Sequence, residues 1–333
     1  MQGRVVAAVA AVAASASLVA AAPAAAQVDE SRAQDPPSEV RVGALINDIQ
    51  QLELPTHSYS VDMYIWFRWD DPKINPSNTF EFMNAFELWG HIISRTYHPP
   101  RRLADGSFYQ VVRNQGKFNA KLPLEDYPFD EQHLLVEFED SVDSAGNLVF
   151  VPDDRPIAMT EGITLPGWDF GEPELRVVGN TYDTDFGDPT DVDPTYSRVV
   201  IDVPVTRPKG TYALKLLLPM LLVALTAGLA LSVHPQFVEG RIGIGITALL
   251  TLVALQLTSN ANLPEVNYLL LLDKLYILSY GFVVLTIAVI VRNSWVDATG
   301  DVAVASRADR KGLIWLTIGY FAIAAILFVT SLA

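Results

Sequence analysis

Two kinds of apolar pattern divide the chain. Up to residue 208, apolar and polar positions alternate in short runs. Val40–Ile49, Ser58–Trp69, Phe108–Val112, Leu134–Phe138, Leu148–Val151, Glu174–Val178 and Ser197–Val205 all have strand character. Asp71-Pro72, Asn75-Pro76, Asp105-Gly106, Ala145-Gly146-Asn147 and Asp188-Pro189 separate them as turn signals. Short strands with such punctuation over 27–208 predict an all-β sandwich, Ig-like in type. Asn84–Arg95 has room for a helical turn. From residue 209 the alternation stops. Apolar runs at about 211–233, 241–260, 265–292 and 311–332 each approach the roughly 20 residues that cross a bilayer. The expected architecture is an extracellular β-sandwich followed by a four-helix all-α transmembrane domain over 209–333.

The N-terminus reads as an address. Arg4 precedes a nearly unbroken Val, Ala and Leu run from Val5 to Ala20, and Ala24-Ala25-Ala26 offers a small-residue cleavage pattern. This predicts a signal peptide over 1–26, with a short first membrane helix as the alternative. Arg241, Arg292, Arg307, Arg310 and Lys311 lie in the first and third loops between the spans, which places those loops in the cytoplasm. The sandwich, the second loop and the C-terminus then face outside.

Charge follows the same division. Residues 27–207 hold 32 acidic and 14 basic side chains; residues 208–333 hold 6 and 8. The overall charge of −15 argues against a nucleic-acid partner. The chain has no cysteine, which excludes disulfides, thiolate metal sites and a cysteine nucleophile. No Ser-His-Asp set, HExxH or Gly-rich phosphate loop is present, so an enzyme is not expected, and no cofactor is implied.

The second apolar run carries a periodic feature. Glu239, Gly243, Thr247, Leu250, Ala254, Leu257 and Ala261 recur at intervals of four and three, on one stripe of a helix. Small, hydroxyl and acidic residues do not suit a lipid-facing stripe. Around a shared axis, Glu239 would form a carboxylate ring that selects ions, and Leu250 and Leu257 apolar constrictions that gate by dewetting. The alternative is that the glycines permit tight helix packing.

Three motifs bear on that choice. Tyr127-Pro128-Phe129-Asp130-Glu131-Gln132 followed by Leu134 resembles the hallmark loop of the pentameric ligand-gated ion channels, the Cys-loop receptor superfamily. Ala120 and Leu134 stand where animal members carry their bridging cysteines, as in the cysteine-less bacterial branch. Arg207-Pro208 with Tyr212 and Pro219 resembles the family's lead into its first helix. Arg241–Thr251 and Asn262–Tyr268 are similar to its second helix and the loop that follows.

The resemblance implies about ten strands, a homopentamer and a bacterial inner-membrane location. Its partners would be lipid, small inorganic ions and a small-molecule or ionic agonist. It implies coupling through Pro128, Phe129, Asp130, Leu263 and Pro264, with Arg207 neutralising Asp130 and Glu53. The alternative for both acids is a solvated turn. The agonist site would lie under the hairpin Gly179–Tyr196, with Tyr182, Phe186 and Tyr196 on one side and Tyr64 and Trp66 on the facing wall. Aromatics with carboxylates suit a small cationic amine; Asp183, Asp185, Asp188, Asp191 and Asp193 would equally suit Ca²⁺ as a modulator, or form a solvated loop. The run from Arg241 to Thr251 is very similar to anion-selective members, but Glu239-Gly240 replaces the Pro-Ala pair that precedes the arginine in them, and a glutamate there favours cations. The competing classes are an anion channel of the same family and a non-conducting sensor or membrane-anchored binding protein.

Overall fold

A computed structural model describes residues 36–187, 194–261, 263–298 and 302–331. The expected signal peptide therefore lies outside the described residues. Strands come first along the chain: β1 (Ser38–Glu53), β2 (Ser58–Trp69), β3 (Phe80–Phe82), β4 (Ala85–Phe86), β5 (Ile92–Arg95), β6 (Arg101–Arg102), β7 (Phe108–Asn119), β8 (Glu131–Asp140), β9 (Leu148–Met159), β10 (Asp169–Phe170), β11 (Glu174–Thr181) and β12 (Thr195–Thr206). They form two sheets among the described residues. One runs β4-β7-β2-β1-β9, with β5 and β6 also on β7; the other runs β10-β12-β8-β3, with β11 on β12.

Alternation explains which residues enter the core. On β2, Tyr59, Val61, Met63, Ile65, Phe67 and Trp69 are buried between the sheets, while Ser60, Asp62, Tyr64, Trp66 and Arg68 lie half-buried on the other face. Phe67, Phe80, Phe138 and Phe150 meet in tilted and edge-on pairs with centroids 5.3–6.2 Å apart. Edge-on contact suits the opposed charge of ring face and ring edge. Gly43 stands opposite Trp66 in the β1–β2 register. A Cβ on Gly43 would come within 2.2 Å of the indole, so glycine lets Trp66 lie across β1 and donate from Nε1 to Asp153 (2.9 Å).

β7 is longer than the expected Phe108–Val112. Residues 113–117 are polar and break the alternation, yet they pair with β2 through Ser60↔Lys117. Asp62 on β2 takes two bonds from Arg113 (3.0 and 2.7 Å) and one each from Asn47 and Gln115. These bonds, led by Arg113, hold the Asp62 carboxyl below its ordinary range. Asn84–Arg95 holds the expected single turn, at Leu88–Gly90, between strand pieces that attach to β7.

The second half consists of α1 (Lys209–Ser232), α2 (Val238–Asn260), α3 (Leu271–Ala298) and α4 (Val302–Ser331). All four are long and apolar enough to cross a membrane. α1 widens to a π turn over Ala213–Leu217, immediately before Pro219. A proline inside a helix lacks the N–H and crowds the carbonyl four residues earlier, which the wider turn relieves.

Two expected spans are corrected. The third begins at Leu271, not residue 265, because the apolar stretch Val266–Leu270 packs as a loop. There Leu271 N–H donates to Glu125 O (2.9 Å) and Leu270 N–H to the Asp273 carboxylate (3.3 Å). Its helix continues to Ala298, and the fourth begins at Val302 rather than 311. The connection expected between the spans 265–292 and 311–332 is therefore helical in its described residues. Its polar ends are buried against each other, with Asn293 Nδ2 donating to Asp309 Oδ1 (2.7 Å).

Candidate functional site

α2 buries one face and presents the other. Arg241, Gly245, Ala248 and Leu252 are buried against the bundle. A Cβ on Gly245 of any larger residue's stem already meets Ile287 of α3 at 2.6 Å, so α2 and α3 approach closely here. At about 100° per residue the buried set lies opposite the stripe, whose seven members fall within roughly 80° of arc. Glu239, Gly243, Thr247, Leu250, Ala254, Leu257 and Ala261 are all exposed in the single chain. Leu250 is 65% and Leu257 70% exposed. The stripe is thus not the surface on which α2 packs within its own chain. Thr251 and Thr258, beside it, return their hydroxyls to the carbonyls of Thr247 and Ala254 (2.8 and 2.9 Å). Those bonds satisfy the donors and leave the hydroxyl oxygens able to accept.

The base of the sandwich meets the helices through a second constellation. Arg207, at the end of β12, donates from Nε to Asp130 Oδ1 (2.8 Å); both side chains are under 5% exposed. Asp130 Oδ2 accepts from Gln132 Nε2 (2.6 Å), which also donates to Pro123 O. The guanidinium stands over three rings: Trp168 at 4.0 Å, Tyr127 at 4.8 Å and Tyr212 at 5.0 Å. Desolvated cation–π contacts of this kind contribute about 2 kcal/mol. Burial pushes the Tyr127 phenol up in pKa, and the nearby guanidinium opposes that shift.

Around this centre the chain is stitched to the helices. Leu124 N–H donates to Tyr268 OH (3.1 Å), and Leu272 N–H to Tyr127 O (3.3 Å). Phe129 meets Phe328 of α4 with centroids 5.4 Å apart. Leu124 and Tyr127 are buried within the helical core, and Phe129 and Leu263 pack against it. Pro264 lines a neighbouring cleft of about 550 Å³ with Gln256, Asn260 and Asp273. Tyr268→Phe removes one hydrogen bond across this junction. It should cost about 0.5–1.5 kcal/mol of stability, read as a lowered Tm in detergent.

Glu53 does not join the Arg207 cluster, which corrects that part of the expectation. It ends β1 and pairs with Lys117 of β7 (3.3 Å), also accepting from Thr56. A surface partner two strands away satisfies it where it stands.

Between β11 and β12, Tyr182 meets Phe186 (5.2 Å) and Tyr196 (5.8 Å) edge-on. Its hydroxyl donates to Glu139 (3.0 Å) and accepts from Arg198 (3.0 Å), while Arg198 also holds Glu139 and Glu137. Burial and the Glu139 carboxylate push the Tyr182 phenol up. Tyr64 and Trp66 sit on the other sheet, Tyr64 beneath Arg113 (5.3 Å). Asp185 accepts from Gly187 N–H (2.8 Å). Asp188, Asp191 and Asp193 lie outside the described residues, and the remaining described residues hold no group of three metal-ligating side chains.

Several contributors escaped the sequence reading. Nothing local marks Trp168 and Tyr212 as partners of Arg207. Arg241, expected in the first loop between the spans, is instead buried within α2, where Asp309 lies 2.8 Å away as its counter-charge.

No protein-family model matches the chain. The fold and the four apolar helices nonetheless define a class: a multi-pass membrane protein with a β-sandwich, compatible with a channel or receptor. Within that class the architecture is consistent with that of the pentameric ligand-gated channels.

Proposed function

We propose that the chain is one subunit of a homopentameric, cation-selective, ligand-gated channel. The observation that supports this best is the exposed α2 stripe, turned directly away from the helix's own packing face. Exposed Gly, Thr and Glu at that spacing are costly against acyl chains and useful against water. A closed ring of identical copies gives such a surface a shared aqueous axis. Glu239 at the first turn of α2 is the selectivity ring, Leu250 and Leu257 are the gate, and the acidic sandwich enriches cations above it. Arg207, Asp130, Pro128, Phe129, Leu263 and Pro264 carry motion from sandwich to helices. The agonist is a small organic cation held between copies by Tyr182, Phe186 and Tyr196 against Tyr64 and Trp66. The location is a bacterial inner membrane with the sandwich on the periplasmic side.

Purified protein in planar bilayers, with class averages of detergent particles, tests the reading. Five-fold particles and discrete unitary currents are expected. Particles of other symmetry, or silence under every amine, pH and Ca²⁺ condition, would reject it. Glu239→Ala should move the reversal potential in a salt gradient toward that of chloride; an unmoved potential removes Glu239 from selectivity.

A further inference from the structure

One of the bulkiest fully buried side chains in the molecule is a cation. Arg241, in the first turns of α2, is 0% exposed. Its Nε donates to Ala230 O at the end of α1 (3.0 Å). Its Nη2 lies 2.8 Å from Asp309 Oδ2 of α4, an approach too oblique for a hydrogen bond, so the attraction there is Coulombic. The other Asp309 oxygen accepts from Asn293 of α3. All four helices thus converge on one ion pair. Withdrawing a guanidinium from water costs several kcal/mol unless a counter-charge compensates it. Here a single carboxylate does so, itself 2% exposed.

The position relative to Glu239 gives this pair a consequence beyond packing. Arg241 follows Glu239 by two residues, about 200° around the helix. Glu239 is exposed on the stripe, while Arg241 points into the bundle, where Asp309 cancels its charge. The two opposite charges near one end of α2 therefore do not act alike on the stripe side.

We infer that Asp309 is a specificity-determining residue of the proposed channel: by neutralising Arg241 it leaves the Glu239 ring as the charge that selects ions. The inference rests on the channel reading above. Without Asp309, each copy would hold an uncompensated cation behind the carboxylate ring.

Reversal potentials of the full chain in liposome patches under a sodium chloride gradient test this. Asp309→Asn should lower the cation-to-anion permeability ratio by roughly threefold or more, the scale of an unpaired charge acting over 8–10 Å of partly screened surroundings. Arg241→Gln should leave the ratio unchanged or raise it. The double variant should return toward wild type. A purely structural role lowers the yield of both single variants and produces no opposite shifts. Singles that move together, or Asp309→Asn with the wild-type potential, overturn the inference. If Asp309→Asn does not fold, Arg241→Gln and the double variant decide it: a lowered ratio in either one overturns it. A wild-type protein that conducts no ions, or prefers anions, instead overturns the reading beneath it.

Discussion

Replacing Arg207 with methionine should unfold the protein at a markedly lower temperature, with a loss of about 3–5 kcal/mol, the usual result of leaving one member of a buried ion pair alone. Asp130 would retain only Gln132 as a side-chain partner, in a pocket already closed to water. The three rings around the guanidinium would lose their cation as well. Arg207→Lys should recover only part of the loss, because an ammonium cannot lie flat against Trp168 while donating to the carboxylate. The combined Arg207→Met and Asp130→Leu change should be milder than Arg207→Met alone, since no charge is then stranded. Thermal unfolding of detergent-purified protein measures all three. An unaltered Tm for Arg207→Met would mean that this cluster does not hold the sandwich to the helices.

Leu250→Ser should produce a channel that leaks without agonist. Leu250 is exposed in the single chain and central on the stripe, so on the proposed axis its side chain meets its own symmetry copies. Burying a leucine stabilises the closed contact by about 1.5–3 kcal/mol, so losing even one such contribution shifts opening by about tenfold or more. Leu252→Ser is the control. Leu252 is fully buried on the packed face, so it should lower Tm and yield without raising basal current. Basal conductance normalised to protein amount separates the two. A Leu250→Ser pore that stays as tightly shut as wild type would remove Leu250 from the gate.

How much could be read beforehand depended on how local the cause was. β2 was legible to the residue, because Ser58–Trp69 alternates without a break, one face buried between the sheets and the other half-buried. The far half of β7 was not, since Arg113 and Lys117 find their counter-charges, Asp62 and Glu53, on other strands of the sheet. Val266–Leu270 shows the opposite failure. Its apolar character suits a membrane span, but it is consumed at the junction beneath the loop Tyr127–Gln132, where Tyr268 reaches Leu124. The α2 stripe was visible because helical period is a local property. The partners of Arg207 come from residues 127, 130, 168 and 212, whose meeting is decided only when the sandwich and helices pack together.

The parallel seam between β1 and β9 sets an order of assembly. Ser38 stands opposite Leu148, and Val40 opposite Phe150, in a chain whose other described strand pairings run antiparallel. The first strand made must therefore wait, one edge bare, until the ninth has been synthesised. Loop closure over that distance is slow and leaves an apolar strand open to the wrong partner. Because β12 follows β9 and leads directly into α1, the sandwich can close only shortly before the first membrane helix emerges. Truncating synthesis between β9 and β12 should therefore yield aggregates rather than a soluble sandwich.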